Sequence, residues 1–130
     1  MPITALYAGL LAFVFVVLSF RTIGARRAAR VEIGDGSDRE LLRRMRVHAN
    51  FAEYGPIALI LLALAETMKT NALLLHGMGL MLLVGRLVHA YALSQTPHIL
   101  PLRVAGMVAT LTAIMAAAIT CLTLAGPSLY

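Results

Sequence analysis

From Met1 to Phe20 the chain carries no charged side chain. Twenty helical residues at 1.5 Å per residue span ~30 Å, the thickness of the hydrocarbon layer of a bilayer. Three further apolar stretches follow within 130 residues, so the first run is not an isolated anchor. The whole chain is 60% hydrophobic and 13% charged, whereas a soluble domain is nearer half apolar and a quarter charged. A core this small cannot hide that much apolar surface from water. The expected fold is therefore all-α, a single integral membrane four-helix bundle, with spans at about 2–24, 38–67, 72–94 and 102–125.

Local signals mark the boundaries. The polar segment Arg21 to Arg46 contains "GDGSDRE", with the turn formers Gly34, Asp35 and Gly36. Ser37 stands three residues before Glu40, the spacing of a capping box that opens the second helix. Pro56 removes one backbone donor from that helix and predicts a kink. "SQTPHILP", with Pro97 and Pro101, separates the third and fourth helices. In the fourth, alanines at 105, 109, 113 and 117 make a small-xxx-small ladder suited to close helix approach. Cys121 is a single cysteine in an apolar run; with no cation or base beside it, it reads as packing rather than as a nucleophile. The first run lacks a basic flank ahead of it, so it reads as a retained span rather than a cleavable signal.

Ten of the eleven Lys and Arg residues lie in the first loop, the third loop or the helix ends beside them, and only Lys69 lies at the opposite side. The positive-inside rule then places the first and third loops in the cytoplasm and both termini outside. The net charge of +5 therefore reads as a topology signal. The basic residues edge apolar spans without any nucleic-acid motif, so no nucleic-acid partner is expected.

One stretch resists that simple picture. "RRMRVHANFAEYGP" (residues 43–56) carries His48, Asn50 and Glu53 into the second span, and only 12 uncharged residues separate Glu53 from Glu66. At 100° per residue Arg39, Arg43, Arg46, Asn50 and Glu53 fall within about 80° of one another. A charge at bilayer depth costs ~2.5–3.5 kcal/mol on insertion scales, and such residues by default mark a functional site facing a bundle interior or polar cavity. The structural alternative is that Glu53 pairs with Arg46 or Arg86 as interhelical glue. Arg86 and His89, three apart, share one face of the third helix at matching depth. The histidines form no ligand-spaced cluster, so no metal site is expected. Several guanidiniums, an amide and an acid suit a small zwitterion with more than one carboxylate. Glutathione satisfies that set, and anionic lipid headgroups satisfy it nearly as well.

"RVHANFAEYGP" resembles the second-helix signature of the MAPEG family, the membrane-associated proteins in eicosanoid and glutathione metabolism. Arg46, Asn50, Glu53, Tyr54 and Pro56 match that signature in order. "ARRAARV" is similar to the end of the family's first helix, "GRLVHAY" to its third-helix motif, and Arg103 stands where a basic residue opens the fourth. The "IGDG" turn is similar to that of a bacterial inner-membrane branch. The resemblance implies a homotrimer in the bacterial inner membrane with glutathione, as co-substrate, bound between protomers. It implies that Arg26, Arg46, Asn50, Glu53, Tyr54 and His89 hold the peptide and that Arg103 approaches the sulfur as the catalytic residue. The activity implied is glutathione-dependent transfer to a lipophilic electrophile, or reduction of a hydroperoxide. The alternative is a non-catalytic MAPEG-fold protein that binds glutathione or an anionic lipid, or whose polar stripe is a structural ion network. Some family members have a tyrosine at the position of His89 or one turn beyond it, where Leu93 stands here.

Overall fold

The computed structural model of the chain describes residues 1–126. Among them are four helices, α1 (Pro2–Ala29), α2 (Arg39–Thr67), α3 (Ala72–Ser94) and α4 (Leu100–Ala125). All four are long and apolar enough to cross a membrane. Phe13, Phe20, Leu73 and Leu122 are each at least two-thirds exposed on the outside of the bundle, which water would penalise and lipid tails accept.

The helix ends show what the local sequence dictates. α1 continues past the apolar run to Ala29, because Ala25, Arg26, Arg27, Ala28 and Ala29 are good helix formers with no breaker among them. It stops at Arg30, whose backbone is left-handed at φ 54° and ψ 40°, with the Val31 N–H returning to the Arg26 carbonyl at 3.0 Å. α2 is capped by Asp38, whose carboxylate accepts from the Leu41 N–H at 2.8 Å. The cap is thus one residue later than the Ser37–Glu40 spacing implies. Ser37 itself is left-handed (φ 63°) and its N–H bonds the Asp35 carboxylate in the turn, so its hydroxyl is not placed to cap. Asn71 caps α3 through its bond with the Leu73 N–H. α2 runs unbroken through Pro56.

α3 and α4 form the tightest pair, while α1 packs on α2 and α3 and, among the described residues, makes no close contact with α4. The tightness comes from two glycines. A Cβ on Gly106 would lie 2.6 Å from the His89 backbone nitrogen, and one on Gly85 would lie 2.8 Å from the Thr110 hydroxyl. Gly106, Thr110, Ala113 and Ala117 form the buried face of α4, whereas Ala105 is exposed and Ala109 half-buried. The small-residue ladder exists, then, in a register one residue from the alanine repeat at its first two rungs. Glycine and threonine replace alanine where the backbones come closest.

At the end of the bundle away from the arginines, the Glu66 carboxylate accepts from the Ile3 and Thr4 N–H groups at 3.0 and 2.8 Å. Those are free donors of the first turn of α1, and an anion there also complements the helix dipole. The Tyr7 hydroxyl donates to the His76 carbonyl and meets the His76 ring, both at 3.1 Å. Nearer the other end, the His48 ring lies 4.7 Å from that of Phe15, with its Nε2 2.9 Å from the Ser19 hydroxyl. His48 thus joins α2 to α1. Cys121 bonds the Leu61 carbonyl at 3.3 Å, as a packed thiol would.

Gly106→Ala should force α3 and α4 apart and lower stability in detergent by roughly 1–3 kcal/mol, the usual cost of overpacking. Gly77→Ala is the control. A Cβ there meets nothing within 4 Å, so helix propensity alone should stabilise by up to ~1 kcal/mol. Thermal or denaturant unfolding of both variants checks the pair. Equal stability of Gly106→Ala and wild type would remove the close approach as a determinant of the fold.

Candidate functional site

Arg86 is the most deeply placed charge in the protein, with 1% of its surface exposed. Its Nε donates to the Thr110 hydroxyl at 2.8 Å, and one terminal nitrogen donates to the Asn50 side-chain oxygen at 2.9 Å and the Asn50 carbonyl at 3.3 Å. The other terminal nitrogen lies 3.8 Å from the Met107 sulfur, and the guanidinium carbon stands 5.0 Å from the centre of the Tyr54 ring. One side chain of α3 thereby ties α2 and α4 together. Every partner is neutral. Thr110 can reach Arg86 because Gly85 and Gly106 let the two backbones approach, so the packing of small residues sets the position of the charge.

His89, one turn along α3, is 3% exposed and lies with its backbone against Gly106. The guanidiniums of Arg86 and Arg103 are the charges that act on it. Arg103 is half-buried near the start of α4. The fold thus brings Asn50, Tyr54, Arg86, His89 and Arg103 to the same end of the bundle on three helices.

The α2 stripe divides in two. Asn50 and Tyr54 turn inward to Arg86 and are half-buried. Arg46 and Glu53 are exposed, pointing away from the core of the bundle. Among the described residues the ion pairs are Arg43–Glu40 at 3.2 Å and Arg44–Glu40 at 2.7 Å, and neither involves Glu53. The bridge from Glu53 to Arg46 or Arg86 is not formed within the chain. Arg43 also bonds the Thr96 hydroxyl, fastening the α3–α4 loop to α2, and Arg21 bonds the Ser94 hydroxyl at the end of α3, tying it to α1.

Arg26 lies apart from Arg86. It donates to the Glu32 and Gly34 carbonyls at 3.3 and 2.8 Å and contacts the Met45 sulfur at 3.5 Å, holding the first loop against α2. Among the described residues no three His, Cys, Asp or Glu side chains gather as metal ligands would. An apolar groove of about 430 Å³ opens sideways between α1 and α2, lined by Ala8, Leu11, Ala12, Phe51, Gly55 and Pro56 among others. Sequence reasoning paired Arg86 with His89 but left it out of the ligand set, and did not reach Thr110 or Met107. An arginine inside an apolar span was the available signal for the first; nothing in the sequence distinguishes the other two from ordinary span residues.

The comparisons with known proteins agree with this architecture. The sequence is similar to inner membrane protein YecN of Escherichia coli strain K12, with 39% identity over 89 residues covering 68% of each chain. The same protein from E. coli O6:H1 matches to the same extent. The family model of the MAPEG family matches residues 4–123, nearly the whole chain. Four membrane-crossing helices carrying the Arg46–Asn50–Glu53–Tyr54 series, matched over that length, belong to a member of the MAPEG family.

Proposed function

We propose that the protein is a glutathione-dependent transferase or peroxidase of the inner membrane, working as a homotrimer on a lipophilic electrophile or hydroperoxide. The observation that carries this reading is the exposed pair Arg46 and Glu53 on the outer face of a membrane helix, without a side-chain partner among the described residues. Lipid cannot solvate an acid and a guanidinium there. A neighbouring protomer and a zwitterionic peptide together can. Arg46 would take a carboxylate in bidentate fashion, and Glu53 would take the ammonium. Asn50 keeps its amide donors while its oxygen serves Arg86. Tyr54, His89 and Arg26 complete the proposed ligand set.

Arg103 is the residue proposed to act on sulfur. A free thiol of this type has a pKa near ~8.5, and only its thiolate is a strong nucleophile. A guanidinium within ~4–6 Å lowers an acidic pKa by about 1–3 units, which would hold the thiolate at neutral pH. In conjugation the thiolate forms a carbon–sulfur bond as the electrophile's leaving group departs with its electron pair. In peroxide reduction two thiols become a disulfide as the hydroperoxide becomes an alcohol and water. The apolar groove between α1 and α2 gives a lipophilic reactant a lateral way in from the bilayer.

Calorimetry of glutathione with the purified protein in detergent should give binding that Glu53→Ala abolishes with the oligomer intact. A correctly assembled wild type that binds none would leave the stripe as an interprotomer ion network. In that case Glu53→Ala should dissociate the oligomer instead. Arg103→Ala should lower turnover with a small electrophile by at least ~10-fold, the effect of one pKa unit on thiolate supply, while leaving glutathione affinity within about twofold. Unchanged turnover would take Arg103 out of the chemistry.

A further inference from the structure

Arg86 is tied to three helices, yet one part of its guanidinium is poorly served. The group carries N–H donors on all three nitrogens and no acceptor. Nε donates to the Thr110 hydroxyl, and Nη1 donates to the two Asn50 oxygens. Nη2 meets the Met107 sulfur at 3.8 Å, and a thioether is a weak acceptor. Only 1% of Arg86 is exposed, so water does not make up the difference. The other sulfur beside a guanidinium, that of Met45, lies 3.5 Å from Arg26 Nη2. Arg26 is half-buried and within reach of water, so its donors can be completed without Met45.

The reaction open to a thioether is oxidation to the sulfoxide. Met107 is half-buried, and Val104 and Leu111, one turn to either side of it on α4, are exposed to the surroundings of the bundle. An oxidant arriving there comes through the hydrocarbon and must itself be apolar. An organic hydroperoxide meets that requirement. Its terminal oxygen is attacked by a sulfur lone pair, and the S–O bond forms as the O–O bond breaks. The O–O electron pair leaves on the other oxygen, which takes the proton from the transferred one and becomes an alcohol. Sulfur is oxidised as the peroxide is reduced. With the sulfur 3.8 Å from Nη2, the added oxygen can stand at an ordinary N–H···O distance of about 2.9 Å without the sulfur moving.

We propose that Met107 is an oxidation site for organic hydroperoxides dissolved in the bilayer, its sulfoxide oxygen accepting from Arg86 Nη2. Oxidation of a packed methionine ordinarily disrupts its surroundings by adding a polar oxygen to an apolar place. At Met107 the oxygen instead completes the donors of a buried cation, and a hydrogen bond to a charged group is stronger than one between neutral groups. Met107 also lies one turn beyond Arg103 on the same face of α4. Its oxidation therefore places a new acceptor between the two guanidiniums that act on His89, a redox-sensitive change at this end of the bundle. The reaction consumes no glutathione, so it stands apart from the transferase or peroxidase reading.

The test is limited treatment of the purified, glutathione-free protein in detergent with cumene hydroperoxide, followed by peptide mass spectrometry of each methionine. Met115, on the same helix and 59% exposed, is the reference, because exposure alone would oxidise it first. Met107 should gain oxygen faster than Met115 by roughly tenfold or more, the effect of one hydrogen bond to a charged group. Arg86→Lys keeps the charge but loses the planar fork, and should bring Met107 down to the rate of Met115. A second measurement covers the case in which that variant does not fold. Wild type oxidised at Met107 should melt at or above the temperature of the untreated protein, and treated Met107→Leu should show no shift. Oxidation of Met107 no faster than Met115, or a lowered melting temperature on its oxidation, would overturn the site. A preference for Met107 seen with hydrogen peroxide and not with cumene hydroperoxide would overturn the apolar oxidant.

Discussion

A guanidinium with almost no exposed surface, inside a bundle that lipid surrounds, must find all its hydrogen bonds within the protein. Arg86 finds them on two other helices, at Asn50 of α2 and Thr110 of α4, with the Tyr54 ring close by. Each of those partners is available only through another constraint. Thr110 is in reach because Gly85 and Gly106 allow the backbones of α3 and α4 to close up, and Asn50 and Tyr54 are in reach because α2 turns that edge inward. The helix crossings near this end therefore follow from placing one charge. Removing it would leave the half-buried Asn50 amide oxygen without its donor and would free the α2 stripe to rotate.

The neutrality of those partners has an electrostatic consequence. A positive charge balanced only by dipoles leaves a positive potential around it, and Arg103 adds to it at His89. The end of the bundle that holds Asn50, Tyr54 and His89 is thus prepared for negative charge. The exposed Glu53 supplies the opposite sign on the outer face, where a cationic group could be met. Such a separation of signs across a few helical turns suits a ligand that carries both, and it suits poorly a ligand that is simply anionic. On the proposed function, that separation is the reason to choose a zwitterionic peptide over a lipid headgroup at this position.

Much of this was legible in the sequence, for physical reasons. Four apolar runs and their breakers must appear in any chain that crosses a bilayer four times, and the 3.6-residue period places Arg46, Asn50 and Glu53 on one stripe whatever the tertiary packing. The resemblance of "RVHANFAEYGP" to the family signature then pointed to the same residues. Less legible was which side of the stripe faces where. Asn50 and Tyr54 turn to Arg86 while Arg46 and Glu53 turn away, a division of some tens of degrees that helix–helix packing decides. The α4 contact face was likewise read as an alanine repeat, when the closest contact is made by Gly106 and Thr110. Periodicity alone does not choose between adjacent registers of small residues. The cap fell to Asp38 instead of Ser37 because the turn through Gly34–Gly36 commits the Ser37 backbone to a left-handed conformation.

The two ends of the bundle are built to opposite purposes. At one end Glu66 occupies the free amides of α1, and Tyr7 closes over Gly79 to reach His76, so close that a Cβ at Gly79 would overlap its ring. Those bonds fix α1 against α2 and α3 there. At the other end Arg27, Arg30, Arg46, Glu53 and Arg103 have no such side-chain bonds among the described residues, and contacts through Arg26, Arg21 and Arg43 hold the backbone around them. The rigidity needed to hold them in place is then provided from the closed end and from the Arg86 tie between α2, α3 and α4.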